Sequence, residues 1–515
     1  MSKKIKLLDC TLRDGGCTNN FNFGTEDMNY IKAHLEDACL DVIELGYIND
    51  KKGSSEGRTQ YDSIDTVNLF LSEKKPSIEY VVMMDYGTFN PDHIPTRSEN
   101  AIDGIRLAFH KKDRIDSIRI AKLLLDKGYK VFMQPMLLKS YTQEEIRDLI
   151  AQVNKEVPKI EAIYIVDSFG QMTPEEVKDY AFFFDKKVNP NINLGFHAHN
   201  NIELANINAQ TMLEFECKRT LYVDSSMMGI GKGAGNAYTE DLIQYMNKIK
   251  GVIYKLKPIQ KCIEEKVKPY STQFKWGVSP EYRLSSEYGC TPSYINFFLK
   301  EGISVSNLPE VLKLLDPDKK VYFDEEHAQE IYKRYKSKIK LFVMDVDGCL
   351  TDGSLYIGEN GEVTKAFNVY DGMGIKLLMK NEVVPVIITG RNDKATKLRA
   401  EQLDINEFYD VVDDKLAVLD EILIKYNCTY AQVACIGDDI NDLPLLRNTG
   451  LKFIPKNAHQ SVDIEGVYKL EATGGNGAIR EVCDIIIERN RSIERGEELS
   501  KYGLVYMYGN NIEIK

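Results

Sequence analysis

Several things are scarce in this sequence, and each scarcity removes a class of function. Positive charge is in deficit: 66 Lys and Arg stand against 78 Asp and Glu, a net charge of −12 at neutral pH. That balance argues against non-specific binding to nucleic acid or to an anionic membrane. No apolar run approaches the roughly 20 residues that span a bilayer, and MSKKIK leads straight into an apolar stretch in place of a signal peptide. The ten cysteines show no CxxC pair and no paired spacing. Most, such as Cys39, Cys217 and Cys435, stand in apolar surroundings and read as small core residues, and a reducing cytoplasm is the expected location. No internal repeat or low-complexity segment occurs. What remains is globular in composition, 43% hydrophobic and 28% charged. At 515 residues it is too long for one ordinary domain.

The densest chemistry lies in LFVMDVDGCLTDG, Leu341–Gly353. Its four leading apolar residues read as a buried parallel strand that delivers Asp345 and Asp347 to the carboxyl end, where open α/β sheets place their active sites. Two carboxylates at this spacing suit a nucleophile and a proton shuttle around Mg²⁺, and Gly348 lets the backbone turn away sharply. Alone, DxDG also suits a calcium loop or an acidic turn. Further along, VIITGR ends a second strand at Thr389, whose hydroxyl suits a phosphate oxygen. Lys415 opens a helical stretch and can neutralise phosphate charge, while VACIGDD ends a third strand at Asp438 and Asp439, both hard-oxygen metal ligands.

This order of strand-end Asp, strand-end Thr, Lys and strand-end Asp resembles the haloacid dehalogenase superfamily of phosphohydrolases over about residues 338–490. The resemblance implies that Asp345 is a nucleophile forming an aspartyl-phosphate and Asp347 the general acid/base, with Thr389 and Lys415 in supporting roles. Asp438, Asp345 and the Asp347 carbonyl would hold Mg²⁺. A short insert, Ser354 to Phe367, and the late motif GGNGAIRE (474–481) are similar to the 3-deoxy-octulosonate 8-phosphate phosphatase group. Substrates of that group are phosphorylated 2-keto-3-deoxy sugar acids. Arg391 and Arg480 are candidates for reading such a carboxylate, and either residue also suits a surface ion pair.

Residues 1 to about 245 alternate strand-like runs with amphipathic stretches. The runs are IKLLD (5–9), VIELGY (42–47), YVVMMD (80–85), GIRLAF (104–109), VFMQPML (131–137), AIYIVD (162–167), LGFHAH (194–199) and LYVDSS (221–226). That count and size predict a TIM barrel. Polar residues gather at the strand ends, with Arg13 and Asp14 past the first strand and the HxH pair His197 and His199 on the seventh. Alternation on a strand turns both imidazoles to one side, here the barrel interior. Two histidines and Asp14 make a divalent-metal site with open positions; a hydrogen-bonded core pair is the plainer alternative.

The pattern resembles the DRE-TIM metallolyases over about residues 4–270: pyruvate aldolases, hydroxymethylglutaryl-CoA lyase and isopropylmalate synthase. The resemblance implies that Asp14, His197, His199 and Asn236 bind Mn²⁺, Mg²⁺ or Co²⁺, and that Arg13 stabilises the enolate oxygen of pyruvate. The acyl-CoA lyases carry a cysteine in the glycine loop after strand eight, where this chain reads GIGKGAGN, so thioester cleavage is disfavoured. Related aldolases have a histidine three residues after the metal aspartate, where this chain has Cys17. The proton-transfer group stays open among Glu44, read as lying at the end of strand two, Cys17 and a metal-bound water. Lys232 in the glycine loop and Asn200 in HAHNN are candidate substrate-binding groups. The loop lacks the GK[ST] ending of a nucleotide-phosphate loop.

The expected architecture is α/β throughout. Residues 1–250 form a (β/α)8 TIM-barrel aldolase, 251–336 a helical extension and charge-dense linker that either lids the barrel or merely spaces it, and 337–492 a Rossmann-like phosphatase with a minimal cap. In the linker, His327, Tyr332 and Tyr335 read as a solvated face and its packing side. Residues 493–515 form a tail suited to docking on a neighbouring subunit. The expected function is bifunctional: aldol addition of pyruvate to an aldose phosphate, then dephosphorylation. The alternatives are an acyl-CoA Claisen-type barrel fused to the phosphatase, or a non-catalytic barrel scaffold. Expected partners are these small molecules and further copies of the chain, including a tetramer through the phosphatase domain.

Overall fold

In the first half of the chain the alternating runs become a closed parallel barrel. The computed structural model describes residues 5–495, apart from 52, 54, 55, 72, 99–101, 252, 393 and 465. Its strands are β1 (Ile5–Asp9), β2 (Val42–Ile48), β3 (Gln60–Tyr61), β4 (Glu79–Asp85), β5 (Gly104–Phe109), β6 (Lys130–Pro135), β7 (Ala162–Asp167), β8 (Asn193–Ala198) and β9 (Leu221–Ser225). Every barrel strand pairs in parallel with its neighbours, and β1 closes the cylinder by bonding both β9 and β2. The short β3, absent from the sequence expectation, pairs with the end of β2 through Tyr47 and Gln60.

Helices cover the barrel because their apolar residues recur on one face. In Gln143–Glu156 these are Ile146, Leu149, Ile150 and Val153, all buried. The helix starts where it does because Thr142 and Glu145 cap each other's backbone N–H groups, and Thr173 with Glu176 repeats the device ahead of Pro174–Lys187. Inside the barrel, period-two alternation sends Leu8, Val42, Val81, Phe132, Ala162, Tyr164 and Tyr222 into one apolar cluster. Toward the carboxyl ends of the strands the lining turns polar, with Glu44, Arg106, His197 and Asp224 all buried.

The chain divides into two compact units, Met1–Pro292 and Ser293–Lys515. Within the first, residues after the barrel return to its carboxyl face. Tyr270 Oη donates to Phe23 O at 2.6 Å, and Trp276 Nε1 donates to Met228 O at 3.0 Å. Asn201 Nδ2 donates to Tyr282 O at 3.1 Å, and Ser286 Oγ to Gly170 O at 3.3 Å. These contacts hold the loops after β1, β7, β8 and β9. Of the three cysteines expected in the core, Cys435 is buried, Cys217 half-buried and Cys39 exposed. Cys39 sits at φ +62° in the turn ahead of β2, which turns it away from the core its apolar neighbours suggested.

The second unit begins within helix Pro292–Lys300 and continues with helices Leu308–Leu312 and Glu325–Lys336. His327, Ala328, Ile331 and Tyr335 of the last are buried, so the charge-dense stretch has a true packing side, and His327 belongs to it. The sheet that follows is parallel, ordered β14 (Glu407–Tyr409), β13 (Val384–Ile388), β10 (Leu341–Met344), β15 (Val433–Ile436), β16 (Leu451–Ile454), β17 (Tyr468–Lys469). Leu341 and Val343 face one core and Phe342 and Met344 the other, so helices cover both sides. β10 lies between β13 and β15, a topological switch point whose carboxyl end is the place for a site. The insert is a two-stranded hairpin, β11 (Tyr356–Ile357) with β12 (Val363–Thr364). Among the described residues no helix is long and apolar enough to cross a membrane. The tail from 496 onward, expected to dock on a neighbouring subunit, lies outside the described residues.

Since each unit has its own core, fragments separated between Pro292 and Ser293 are each expected to unfold cooperatively in urea. A fragment lacking a transition would show that its core is not self-sufficient.

Candidate active sites

At the mouth of the barrel Asp14, His197 and His199 bring one ligand atom each within 4.8 Å of the others. The histidines get their orientation from their other ring nitrogen. His197 Nδ1 lies 2.9 Å from Asp224 Oδ2 and His199 Nδ1 lies 3.2 Å from Gly235 O, both acceptors, which fixes Nδ1–H as donor and leaves each Nε2 free to ligate. Burial pushes His199 down to about 4, so the neutral imidazole needed for a metal prevails at neutral pH. Burial works against an ionised Asp14, but Arg13 foremost and then the two histidines outweigh it and hold the carboxyl well below its ordinary range.

Asn236 Nδ2 donates to Asp14 Oδ2 at 2.7 Å, while its buried Oδ1 has no hydrogen-bond partner. A buried carbonyl oxygen left unpaired beside a carboxylate and two imidazoles suits a divalent-cation ligand, and the donor set fits Mn²⁺, Mg²⁺ or Co²⁺. Gly231 is needed here: a Cβ would lie 2.3 Å from Asn236 Nδ2 and 2.5 Å from Asp14 Oδ2.

Behind these ligands runs a buried charge chain. Arg13 Nη1 donates to Asp14 Oδ1 at 2.6 Å and Arg13 Nε to Glu44 Oε2 at 2.8 Å. Arg106 Nη1 donates to the same Glu44 oxygen at 2.8 Å, and Arg106 Nη2 pairs with Asp224. Glu44 therefore needs correcting: it is the third residue of β2, not its last, and both arginines share its Oε2. A bulge between Glu44 and Tyr47 lengthens the strand beyond it. Arg106 and Asp224 went unnoticed in the sequence. Their only signal is strand parity, since Asp224 alternates with inward-facing Tyr222.

Other expected residues scatter. Lys232 and Cys17 are exposed in mouth loops. Asn200 Oδ1 accepts from Ala205 N at 3.2 Å, at the start of helix Ala205–Glu214, so its oxygen is already engaged in a local turn.

At the carboxyl end of β10, Asp345 accepts from Lys415 Nζ at 2.5 Å, and the same ammonium donates to Asp442 at 2.6 Å. Asp438 N donates to Asp442 Oδ2 at 3.0 Å. Two carboxylates thus share one lysine, and a third, that of Asp438, stands beside Asp345. Burial first, then its carboxylate neighbours, pushes Asp438 up to about 7, and burial together with Asp442 raises Asp345. A divalent cation held by Asp345 and Asp438 would offset that excess and would suit their hard oxygens. Cys349 stands with them, but burial holds its thiol well above the ordinary range. Gly348, at φ +93°, is the close approach: a Cβ would lie 2.0 Å from Asp438 Oδ2.

Thr389 is buried at the end of β13 and accepts from Arg391 N at 3.3 Å. Arg391 Nε lies 3.3 Å from Asp347 Oδ2, which keeps this arginine at the site. Arg480 Nε instead donates to both oxygens of Asp484 within its own helix, the ion-pair alternative. Asp439 accepts from Ile440 N at 2.7 Å as a turn cap, so the second acid of GDD is not turned to the site as expected. Asp442 and Lys365 were missed in the sequence. Asp442 follows Asp438 by one helical turn, whereas Lys365, 2.7 Å from Asp347 Oδ1, left no signal.

Comparison with known proteins agrees with both halves. The HMGL-like family matches residues 109–264 and the haloacid dehalogenase-like hydrolase family matches 406–465. The 3-deoxy-D-manno-octulosonate 8-phosphate phosphatase KdsC of Yersinia pestis is 39% identical over 173 residues, 34% of this chain and 92% of that protein. The chain belongs to this phosphatase family. An HMGL-like domain precedes its phosphatase domain, so the chain is an enzyme joining a lyase-family domain to a phosphohydrolase domain. The phosphatase of Moraxella catarrhalis, solved with a magnesium ion, a phosphate ion and a KDO molecule, is 38% identical; the match covers 33% of this chain and 96% of that one, with a TM-score of 0.30. The cobalt-bound phosphatase of Haemophilus influenzae is 34% identical, covering 31% and 93%, also at 0.30.

Arg106→Ala is expected to cost about 3–5 kcal/mol, because it leaves Glu44 and Asp224 as uncompensated buried charges. Urea unfolding of the variant measures this; a loss under about 1 kcal/mol would mean water or rearrangement replaces the guanidinium.

Proposed function

We propose that the chain adds pyruvate to an aldose phosphate in the barrel and then removes the phosphate from the resulting 2-keto-3-deoxy sugar acid in the phosphatase domain. The observation that carries the reading is the barrel's unpaired pair: Arg13 Nη2, a donor, and Asn236 Oδ1, a ligand atom, are both buried without partners beside Asp14, His197 and His199. Asp14, His197, His199 and Asn236 would hold a divalent metal, which would supply Lewis acidity toward a keto oxygen. Arg13, its plane fixed by Glu44, donates Nη2–H to the same oxygen as charge builds there. Pyruvate's methyl group gives up a proton to a base at the mouth, for which water and the exposed Cys17 are the candidates, since Glu44 is held by two arginines. The protonated base is then the source of the proton taken up in the next step. The carbanion carbon then bonds the aldehyde carbon, and the new alkoxide takes up a proton. Lys232, exposed in the loop after β9, is placed to meet an anionic group of the aldehyde.

The phosphatase relatives act, by name, on a phosphorylated 2-keto-3-deoxy sugar acid, which is the product class of such an aldol addition. In the second site Asp345 attacks phosphorus and the bond to the sugar oxygen breaks. Asp347 gives that oxygen a proton, then takes one from the water that hydrolyses the aspartyl-phosphate. Lys415 fixes Asp345 and Thr389 meets a phosphate oxygen, while Asp345 and Asp438 would hold Mg²⁺, which would neutralise phosphate charge. Arg391 reads the substrate carboxylate. Loss of phosphate draws a near-balanced aldol step forward.

His197→Ala and His199→Ala are expected to abolish divalent-metal binding by the barrel and its carbon–carbon chemistry while sparing phosphate release. Titration with Mn²⁺ followed by metal analysis reads this; an unchanged barrel stoichiometry in the double variant would sink the ligand assignment.

With an aldose phosphate, phosphate release is expected only when pyruvate is also present, since a site that reads carboxylate and keto groups leaves them unpaired on the wrong substrate. Asp345→Asn should accumulate the phosphorylated keto acid, and Asp14→Asn should give neither product. Rapid phosphate release without pyruvate would refute the consecutive scheme.

A further inference from the structure

One cation in the phosphatase domain has no role in the scheme above. Lys365 follows the return strand of the β11–β12 hairpin, and its side chain is wholly removed from solvent, with Nζ 2.7 Å from Asp347 Oδ1. Its segment is tied to helix Lys394–Gln402. Lys365 Nζ lies 3.5 Å from Thr396 Oγ1, Arg399 stacks over Phe367 at 5.9 Å, and Arg399 Nη2 donates to Asn368 O at 3.3 Å. A fully buried ammonium is expensive away from an anion, so this pair is a fixed feature of the site. The other carboxylate oxygen, Oδ2, faces Arg391, whose side chain is 62% exposed. The two oxygens of Asp347 are thus unequal: a buried lysine occupies one, and the other looks to the open mouth.

We propose that Lys365 is a positioning residue: by holding Asp347 Oδ1 it aims Oδ2 at the leaving-group oxygen, so that this oxygen carries and delivers the proton. The inference rests on reading Asp347 as the acid for the leaving group. As the phosphorus–oxygen bond breaks, the proton on Oδ2 passes to the departing oxygen and Asp347 is left as a carboxylate between Lys365 and Arg391. A misaimed acid costs roughly 100-fold where the proton is needed, and far less where the leaving group departs as a stable anion.

The test compares the intact Mg²⁺-loaded chain on three esters: p-nitrophenyl phosphate, phenyl phosphate, and the alkyl ester 3-deoxy-D-manno-octulosonate 8-phosphate. For Lys365→Met, kcat is expected to fall at least tenfold more on phenyl and alkyl phosphates than on p-nitrophenyl phosphate, so that rate depends more steeply on leaving-group basicity. Equal losses on all three esters, or no loss on any, would overturn the proposal. Lys365→Arg, which retains the charge but displaces it, is expected to show a smaller bias of the same sign, and it carries the test should the Met variant not fold. Asp347→Asn separates the two claims. If it shows the leaving-group bias and neither Lys365 variant does, the positioning role fails alone. If Asp347→Asn shows no bias, the underlying assignment of the acid fails, and this proposal with it.

Discussion

Within the barrel, Asp14, Arg13, Glu44, Arg106, Asp224 and His197 form an unbroken chain of ion pairs and hydrogen bonds whose two ends are both candidate metal ligands. Each member is buried, so none tolerates the loss of its neighbour without exposing an uncompensated charge. Three carboxylates against two guanidiniums leave one negative charge in excess, in keeping with a divalent cation at the mouth. The chain also explains why Arg13 offers Nη2 alone: its Nε and Nη1 are spent on Glu44 and Asp14. Rigidity at the site thus comes from electrostatics deep in the barrel, below a mouth made of loops.

The phosphatase domain solves the same problem with fewer parts. Lys415 alone fixes Asp345 and Asp442, and Asp442 fixes the backbone of Asp438. Both centres press a glycine against a ligand, Gly231 on Asp14 and Gly348 on Asp438, because no room remains for a Cβ. Both present hard or borderline donors, and neither is built for a soft metal. The hairpin beyond Gly348 is too small to enclose a substrate, and Tyr356 and Ile357 on it are largely exposed.

Strand-end chemistry was legible in the sequence because a parallel sheet converts chain order into position: an apolar run ends, and the next polar residue stands at the carboxyl edge. Asp345, Thr389, Asp438 and, just past its strand, Asp14 are read in that way; the HxH pair is read from its alternation along a strand and Lys415 from its place at the start of a helix. What hid was contact between residues remote in sequence. Glu44 and Arg106 are 62 residues apart and Arg106 and Asp224 118 apart, with only inward parity in common. Glu44 is the third residue of VIELGY in the sequence as in the structure, and what its run does not show is that Arg13 and Arg106 both reach its carboxylate inside the barrel. Asn200 and Asp439 were misread for a different reason: short polar side chains next to a turn satisfy local backbone donors first. Lys365 was invisible because a hairpin of two-residue strands carries too little pattern to predict where its base lands.

The glycine loop after β9 is held from outside by residues that come later in the chain: Trp276 bonds Met228 O, Gly277 N bonds Gly233 O, and the Tyr282 ring lies against Gly233. During synthesis the loop therefore leaves the ribosome before its support exists. At about 5–20 residues per second the interval is several seconds, during which all eight barrel strands are already made and the loop that carries Asn236 has only its contacts to earlier residues, such as Asp14 and Gly229. The candidate metal site is thus among the last parts of the first unit to be fully braced, and the nascent chain passes through a stage in which every barrel strand is made but the mouth loop is not yet held from outside.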